Sequence, residues 1–261
     1  MIIAKKKLCV VTGSRADYGL LKYLIKSLSN SNAFKLQLVL TGSHLSEKFG
    51  NTFKEVVADG FFVDEMVDIN AKGGRPSDSA KSTAIAIEGF SKAFENLDPD
   101  LVIILGDRYE LLGVAIAAMF HGYPMAHFHG GEVTRGAIDD GIRHALTKLS
   151  HIHFVASEEY RNRVIQMGEN PEYVFNIGGL GVDAIKRVSL MTRKEIEKDL
   201  GFSFKDKNLL ITFHPVTLER RSSSEQMKQL LAALESHEDK QLIFTMPNAD
   251  TDSMEIFDLI E

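Results

Sequence analysis

An α/β fold built on doubly wound parallel sheets is predicted from three features of this sequence. Short apolar runs alternate with longer stretches of helical periodicity along most of the chain. The runs are near-continuously apolar, as in strands buried on both faces of a parallel sheet. Ionisable residues collect where those runs end, the edge at which open α/β sheets bind ligands.

In chain order, KLCVVTG reads as the first strand, and YGLLKYLIKSLSN after it as an amphipathic helix. KLQLVLTG is a second strand, and SAKSTAIAIEGFSKAFENL a long helix. LVIILGD leads into the helix ELLGVAIAAMFHG, and YPMAHFHG into a helix from Asp139 whose apolar face is Ile142, Ala145, Leu146 and Leu149. HIHFVAS precedes SEEYRNRVIQMG, and YVFNIGG closes the series. This strand–helix alternation argues for right-handed crossovers and a sheet of seven strands or a similar number. TGSRADYG and TGSHLSEKFG echo each other, as two βα turns of similar design would.

Between Gly178 and Leu200 the chain turns glycine-rich, then charged and helical, and a new series begins with NLLITFHP, SEQMKQLLAALESH and QLIFTMPN. We therefore expect an N-terminal doubly wound α/β domain over 1–186, holding most of the ionisable strand-end residues. Residues 187–261 are expected to form a linker helix and the first part of a C-terminal domain. Two βα units bury too little to stand alone. The sequence is thus expected to be the front part of a longer two-domain protein, with Met254, Ile256, Phe257, Leu259 and Ile260 of the last helix left exposed.

Composition narrows the function. With 30 Lys+Arg against 36 Asp+Glu and a net charge of −6, no basic block is present. That disfavours a general nucleic-acid binder. Cys9 is the single cysteine, which fits a reducing, cytoplasmic setting. The lysines before LCVVTG mimic a signal peptide, but the apolar run is short and passes straight into a glycine turn. No stretch is long and apolar enough to span a bilayer.

At the predicted strand ends stand Gly13, Arg15 and Asp17, then Asp107 and Arg108, then His129 and Glu132, and His214 and Asn248 in the second series. Each has a plainer explanation. Asp17 suits a helix N-terminus with Arg15 as a solvated neighbour, and Asp107 suits an N-cap. Asp139 and Arg143, like Asp140 and His144, are spaced as same-face helix pairs. Glu132 and the glycines before it lie in a loop, and helix chemistry explains them poorly. His151 and His153 alternate with apolar residues and read as packed or surface residues; no Cys/His/Asp spacing demands a metal. Arg15, Asp107, Glu132, Asp139 and His214 are expected to line one cleft.

Taken together, TGSRADYGLL, LTGSHL, ILGDRYELL, HFHGGEVTRGAIDDGIRHALTKLSHIHF, NIGGLGVD, FHPVT and PN resemble the UDP-N-acetylglucosamine 2-epimerases, in particular their hydrolysing branch, which opens sialic-acid-type sugar synthesis. The resemblance implies two Rossmann-like domains of the glycosyltransferase-B type, the second incomplete here, with a UDP-sugar between them. It implies no metal and no nicotinamide cofactor, and a homo-oligomer, dimer or tetramer. The implied reaction converts UDP-N-acetylglucosamine and water to N-acetylmannosamine and UDP. By resemblance Asp107, Glu132 and Asp139 handle protons, and His214 assists near the diphosphate. Arg15, Ala16, His44, Arg108, Arg143 and Asn248 bind or orient substrate. Two alternatives stand beside this reading: the same reaction on a UDP-2,4-diacetamido-2,4,6-trideoxy sugar of the legionaminic-acid type, and a non-catalytic UDP-sugar-binding fragment.

Overall fold

A computed structural model describes residues 4–71, 75–214, 223–237, 239–245 and 253–260. The chain divides into two compact units, with the break between Lys186 and Arg187.

The first unit is a seven-stranded, wholly parallel sheet. Its strands are β1 (Lys6–Thr12), β2 (Phe34–Thr41), β3 (Glu65–Val67), β4 (Leu101–Leu105), β5 (Met125–Phe128), β6 (Ile152–Val155) and β7 (Val174–Asn176). Their spatial order is β3-β2-β1-β4-β5-β6-β7, so the winding direction reverses between β1 and β4. The helices are α1 (Arg15–Ser29), α2 (Phe53–Ala58), α3 (Pro76–Leu97), α4 (Tyr109–His121), α5 (Ile138–Leu149), α6 (Glu158–Gln166) and α7 (Leu180–Arg187).

The continuous apolarity of the strands follows from helices on both faces. Cys9, Val11, Val39, Val102 and Ile104 join one buried cluster with α3, α4 and α5. Their alternating neighbours Leu8, Val10, Leu38, Leu40, Ile103 and Leu105 join another with α1. Period-two alternation therefore sorts apolar side chains between two cores rather than between core and water.

The strand readings above all correspond to strands of the structure. The exception is β3, three residues at the sheet edge whose EMV stretch is too short to show a pattern. The short α2 was also not anticipated. On α5 the apolar-face expectation needs one correction. Ala145 is exposed, while Arg143 and Thr147 join Ile142 and Leu146 on the buried face.

The second unit carries α8 (Arg193–Leu200), β8 (Asn208–Thr212), α9 (Ser223–Leu234), β9 (Gln241–Thr245) and α10 (Ser253–Ile260). β8 and β9 pair in parallel from Asn208–Gln241 to Thr212–Thr245. A reciprocal Thr192–Glu195 capping box starts α8, and Gly201, at φ 72°, ends it. The expected exposed patch on the last helix is not found. Ile256 is fully buried, and Phe257, Leu259 and Ile260 are partly covered; the Met254 side chain lies outside the described residues. Among the described residues no helix is long and apolar enough to cross a membrane.

Candidate active site

The winding reverses between β1 and β4, and the carboxyl edge of the sheet at such a reversal is the place where doubly wound folds bind ligands. The turns that meet there are built around buried polar groups.

After β1, Ser14 caps α1 by accepting the Asp17 N–H at 3.3 Å, and the Asp17 carboxylate accepts the Gly13 N–H at 3.2 Å. Asp17 is buried, and that burial pushes its pKa up to about 6; the Arg108 charge opposes the rise and the Glu110 charge adds to it. Arg15 and Ala16, by contrast, face solvent, and among the described residues Arg15 has an ion pair with Glu55 at 3.9 Å. One turn thus holds both an exposed cation and a buried acid.

The turn after β2 locks onto it. Ser43 Oγ donates to the Gly13 carbonyl at 3.0 Å. His44 lies fully buried beneath, its Nε2 3.2 Å from Thr12 Oγ1 and its Nδ1 2.8 Å from Thr52 Oγ1. Burial lowers its pKa to about 4, so the ring is neutral at ordinary pH. The structure therefore seats His44 under the turns rather than on their surface.

After β4, Gly106 takes φ 85° and the chain enters α4 through Asp107 and Arg108. Arg108 holds the N-cap position, without a side-chain cap bond, so Asp107 is not the cap its sequence context suggested. The Arg108 Nε donates to Glu110 Oε1 at 2.6 Å, and Glu110 is fully buried. The sequence reading did not single out Glu110; its place on an otherwise apolar helix, two residues after Arg108, was the available signal.

The loop after β5 carries the next group. His129 adopts φ 64°, and its Nδ1 lies 3.0 Å from Glu132 Oε1. The two glycines between them have packing reasons. A Cβ at Gly130 would come 3.0 Å from Thr147 Oγ1, and one at Gly131 only 2.5 Å from the Tyr160 carbonyl oxygen. Arg163 also donates to the Gly131 carbonyl. Glu132 remains partly exposed. The hydrogen bond from His129 holds its pKa below the usual range, with the His129 and Arg143 charges acting in the same direction.

Arg143, reaching up from α5, ties this loop to the β4 turn. It is buried, pairs with Asp107, and donates to the Glu132 carbonyl at 2.9 Å and to Thr134 Oγ1 at 3.0 Å. Asp140 lies 3.6 Å away and also accepts the Thr134 N–H at 2.8 Å. His144 is 3.9 Å from Asp140. One guanidinium thus gathers Asp107, the Glu132 backbone and Asp140. Behind the loop His127 is buried, its Nε2 2.7 Å from the Gly106 carbonyl, and burial lowers its pKa to about 4.

The structure therefore brings Arg15, Ala16, Asp107, Arg108, Glu132 and Arg143 to one edge of one sheet, with Asp139 in the first turn of α5 beside them. His214 is exposed two residues after β8, in the second unit. Asn248 lies outside the described residues. His153, read above as packed or surface-facing, is buried on β6 against Glu169 at 3.1 Å, and His151 is exposed. Among the described residues no group of three or more His, Cys, Asp or Glu side chains is placed to hold a metal ion.

A doubly wound sheet with titratable side chains and arginines gathered at its switch point defines a Rossmann-like protein with a site suited to an anionic ligand. Comparison with known proteins narrows this. A family model described as UDP-N-acetylglucosamine 2-epimerase matches residues 26–261, and the chain belongs to that family. It is 40% identical over 99% of its length to a hydrolysing GDP/UDP-N,N'-diacetylbacillosamine 2-epimerase of Campylobacter jejuni. It is 39% identical over 95% to the polysialic acid biosynthesis protein P7 of Escherichia coli. To a hydrolysing UDP-N,N'-diacetylbacillosamine 2-epimerase of Legionella pneumophila it is 38% identical over 98%. The chain spans 67%, 63% and 67% of these three relatives. Its fold matches the UDP-GlcNAc 2-epimerase of Methanocaldococcus jannaschii solved with UDP-GlcNAc and UDP, at a TM-score of 0.78 and 20% identity, covering 97% of this chain and 69% of that one. The two-domain glycosyltransferase-B-type architecture expected from the resemblance is thus the right class.

Proposed function

We propose that the protein is a hydrolysing UDP-sugar 2-epimerase acting on UDP-N,N'-diacetylbacillosamine, a 2,4-diacetamido-2,4,6-trideoxy sugar. The observation that carries the chemistry is the Arg143 bridge, which gathers Asp107 and the Glu132 loop at the switch-point edge. The substrate rests on two of the three relatives above, whose names specify that sugar. A second reading, UDP-N-acetylglucosamine as substrate with N-acetylmannosamine as product, is favoured by the family description.

In this reaction the C2 proton leaves, the C1–O bond to UDP breaks, and a glycal forms. Water then adds across C1 and C2, giving the hydroxyl at C1 and a proton on the opposite face of C2, and the free 2-epimeric sugar departs. Glu132, kept ionised by His129, is suited to accept a proton. Asp107 and Asp139 are assigned to the remaining proton transfers. Arg108 and the exposed Arg15 meet the diphosphate, with Ala16 at the α1 N-terminus, where anions are favoured. Arg143 orients the carboxylates, His44 supports the turn from below, and His214 and Asn248 are assigned to the leaving diphosphate and the nucleotide. The active form is proposed to be a dimer or tetramer, to be checked by sedimentation.

The test incubates the purified protein with each UDP-sugar in heavy water. The proposed reaction releases UDP and a free 2-epimer labelled with deuterium at C2, faster from the diacetamido sugar. The reverse preference selects the second reading. Binding of both sugars without UDP release would leave only a UDP-sugar-binding module.

A further inference from the structure

The echo between the turns after β1 and β2 has a structural counterpart that this reaction does not use. Gly42 takes φ 59° and packs against the Gly13 carbonyl, 2.6 Å from where its Cβ would stand. Both missing side chains face a third group, the Glu110 carboxylate. Its Oε1 lies 2.6 Å from the ideal Cβ position of Gly13 and 3.0 Å from that of Gly42. Three strand-end turns, from β1, β2 and β4, therefore close on one fully buried carboxylate.

A carboxylate there is costly. Desolvation of an ionised group is repaid only by a well-placed partner and by hydrogen bonds to both oxygens. Glu110 has the partner, Arg108 Nε at 2.6 Å on Oε1, but Oε2 is buried with no hydrogen-bond partner in the structure. A leucine or methionine would fill such a position on an otherwise apolar helix without that cost. What only a carboxylate supplies is a short, charge-assisted grip on a guanidinium. The grip is on the Nε edge, so the plane of Arg108 is set from behind by a group that water does not reach.

We propose that Glu110 is a positioning residue: it fixes the Arg108 guanidinium at the switch-point edge in the orientation in which its Nη groups meet the substrate diphosphate. The proposal rests on the anionic substrate assigned above, but it concerns binding rather than turnover. Gly13 is then required as glycine because a side chain there would displace the Glu110 carboxylate, and Gly42 because its positive φ and the Gly13 carbonyl leave no room for one beside the same group. The groups around this centre are Asp17 on α1, Arg108 at the N-cap of α4, Glu110 in its first turn, and His44 below. Removing the Glu110 charge relieves the like-charge pressure on Asp17, so the titration of Asp17 moves to lower pH.

A double-mutant cycle tests this, with UDP affinity measured by calorimetry as the readout. Glu110→Gln keeps the shape of the side chain and removes its charge. In the wild-type background it is expected to weaken UDP binding about tenfold, the loss typical of one charged interaction. In the Arg108→Lys background, which has no Nε edge to hold, the same change should have little further effect. The acidic limb of UDP affinity against pH should also shift downward in Glu110→Gln. Independent, additive effects of the two substitutions, or unchanged UDP affinity in Glu110→Gln, would overturn the proposal and leave Glu110 a packing residue. The cycle stays readable if UDP binds but no UDP-sugar is turned over, an outcome that removes the reaction and not the positioning role.

Discussion

At the end of β1 the Asp17 carboxyl is walled in by the turn that holds it, and burial outweighs the nearby Arg108, so its pKa rises to about 6. Two strands along the same edge, Glu132 sits half-open in the loop after β5, and a hydrogen bond from His129 outweighs burial, so its pKa falls. Both are carboxylic acids at the carboxyl ends of parallel strands. Both accept a hydrogen bond, Asp17 from the Gly13 N–H and Glu132 from His129; the difference is that burial dominates at Asp17 while Glu132 keeps access to water. One edge therefore carries one group that holds its proton close to neutrality and another that stays ionised, the separation that acid/base chemistry needs.

The strongest way to break this comparison is to remove the residue that organises the Glu132 side. Arg143→Met leaves Asp107 without its cation and frees the loop from α5. Arg143 is buried but Asp107 is partly exposed, so removing the cation costs less than breaking a fully buried pair, on the order of 2 kcal/mol. The midpoint of denaturant unfolding of the first unit should fall accordingly, with turnover lost even where the protein remains folded. A variant with wild-type stability would show that Asp107 needs no partner.

Next is Glu132 itself. If it handles a proton at C2, Glu132→Gln should lower turnover roughly a hundredfold or more, the usual scale for a lost general acid or base. UDP affinity and melting temperature should barely move, because the amide keeps the shape of a partly exposed side chain. UDP release and deuterium incorporation at C2 are the readouts. Near-normal turnover with full C2 labelling would end the catalytic assignment.

Asp17 offers a smaller effect on the other side. Its folded-state pKa, raised from 3.8 to about 6, means that the folded protein keeps a proton that the unfolded chain has released. The stability contributed by that proton is complete below the unfolded pKa and is lost as pH rises through the folded value. Asp17→Asn keeps an oxygen for the Gly13 N–H but cannot ionise. Its unfolding free energy should vary less between pH 4 and pH 7, gaining on the wild type by on the order of 2 kcal/mol at the upper end. Parallel stability curves for the two proteins would remove the buried-acid interpretation.

How much of this was legible beforehand differs between the two sides. Alternation and apolar runs are local signals, and they gave the seven-stranded fold apart from the three-residue β3. Glu132 stood out because the glycines beside it had no helical explanation. Asp17 and Glu110 did not, since a helix N-terminus is an ordinary place for an acid and a single glutamate on an apolar helix carries no period. Their burial follows from turns of β1, β2 and β4 meeting in space, which local pattern does not encode. The face of α5 was misread for the same reason: Arg143, not Ala145, lies on its buried side, because its charge is neutralised by Asp107 from a different strand end.

The smallest effect on stability belongs to Arg15, and it sharpens the comparison within a single turn. Arg15 and Asp17 are two residues apart, yet the Arg15 side chain is 75% exposed and, among the described residues, pairs with Glu55 at 3.9 Å. An exposed ion pair of that length contributes little, so Arg15→Ala should change the unfolding free energy by less than about half a kcal/mol. Its proposed task is to bind diphosphate equally in the ground and transition states. Loss of uniform binding raises KM and leaves kcat nearly unchanged. We expect KM for the UDP-sugar to rise about tenfold, the worth of one phosphate contact in partial contact with water, and to converge with wild type at high salt, where exposed charges are screened. A fall in kcat with unchanged KM would instead place Arg15 at the reacting centre, and the contrast between an exposed binding residue and a buried titrating one in this turn would fail.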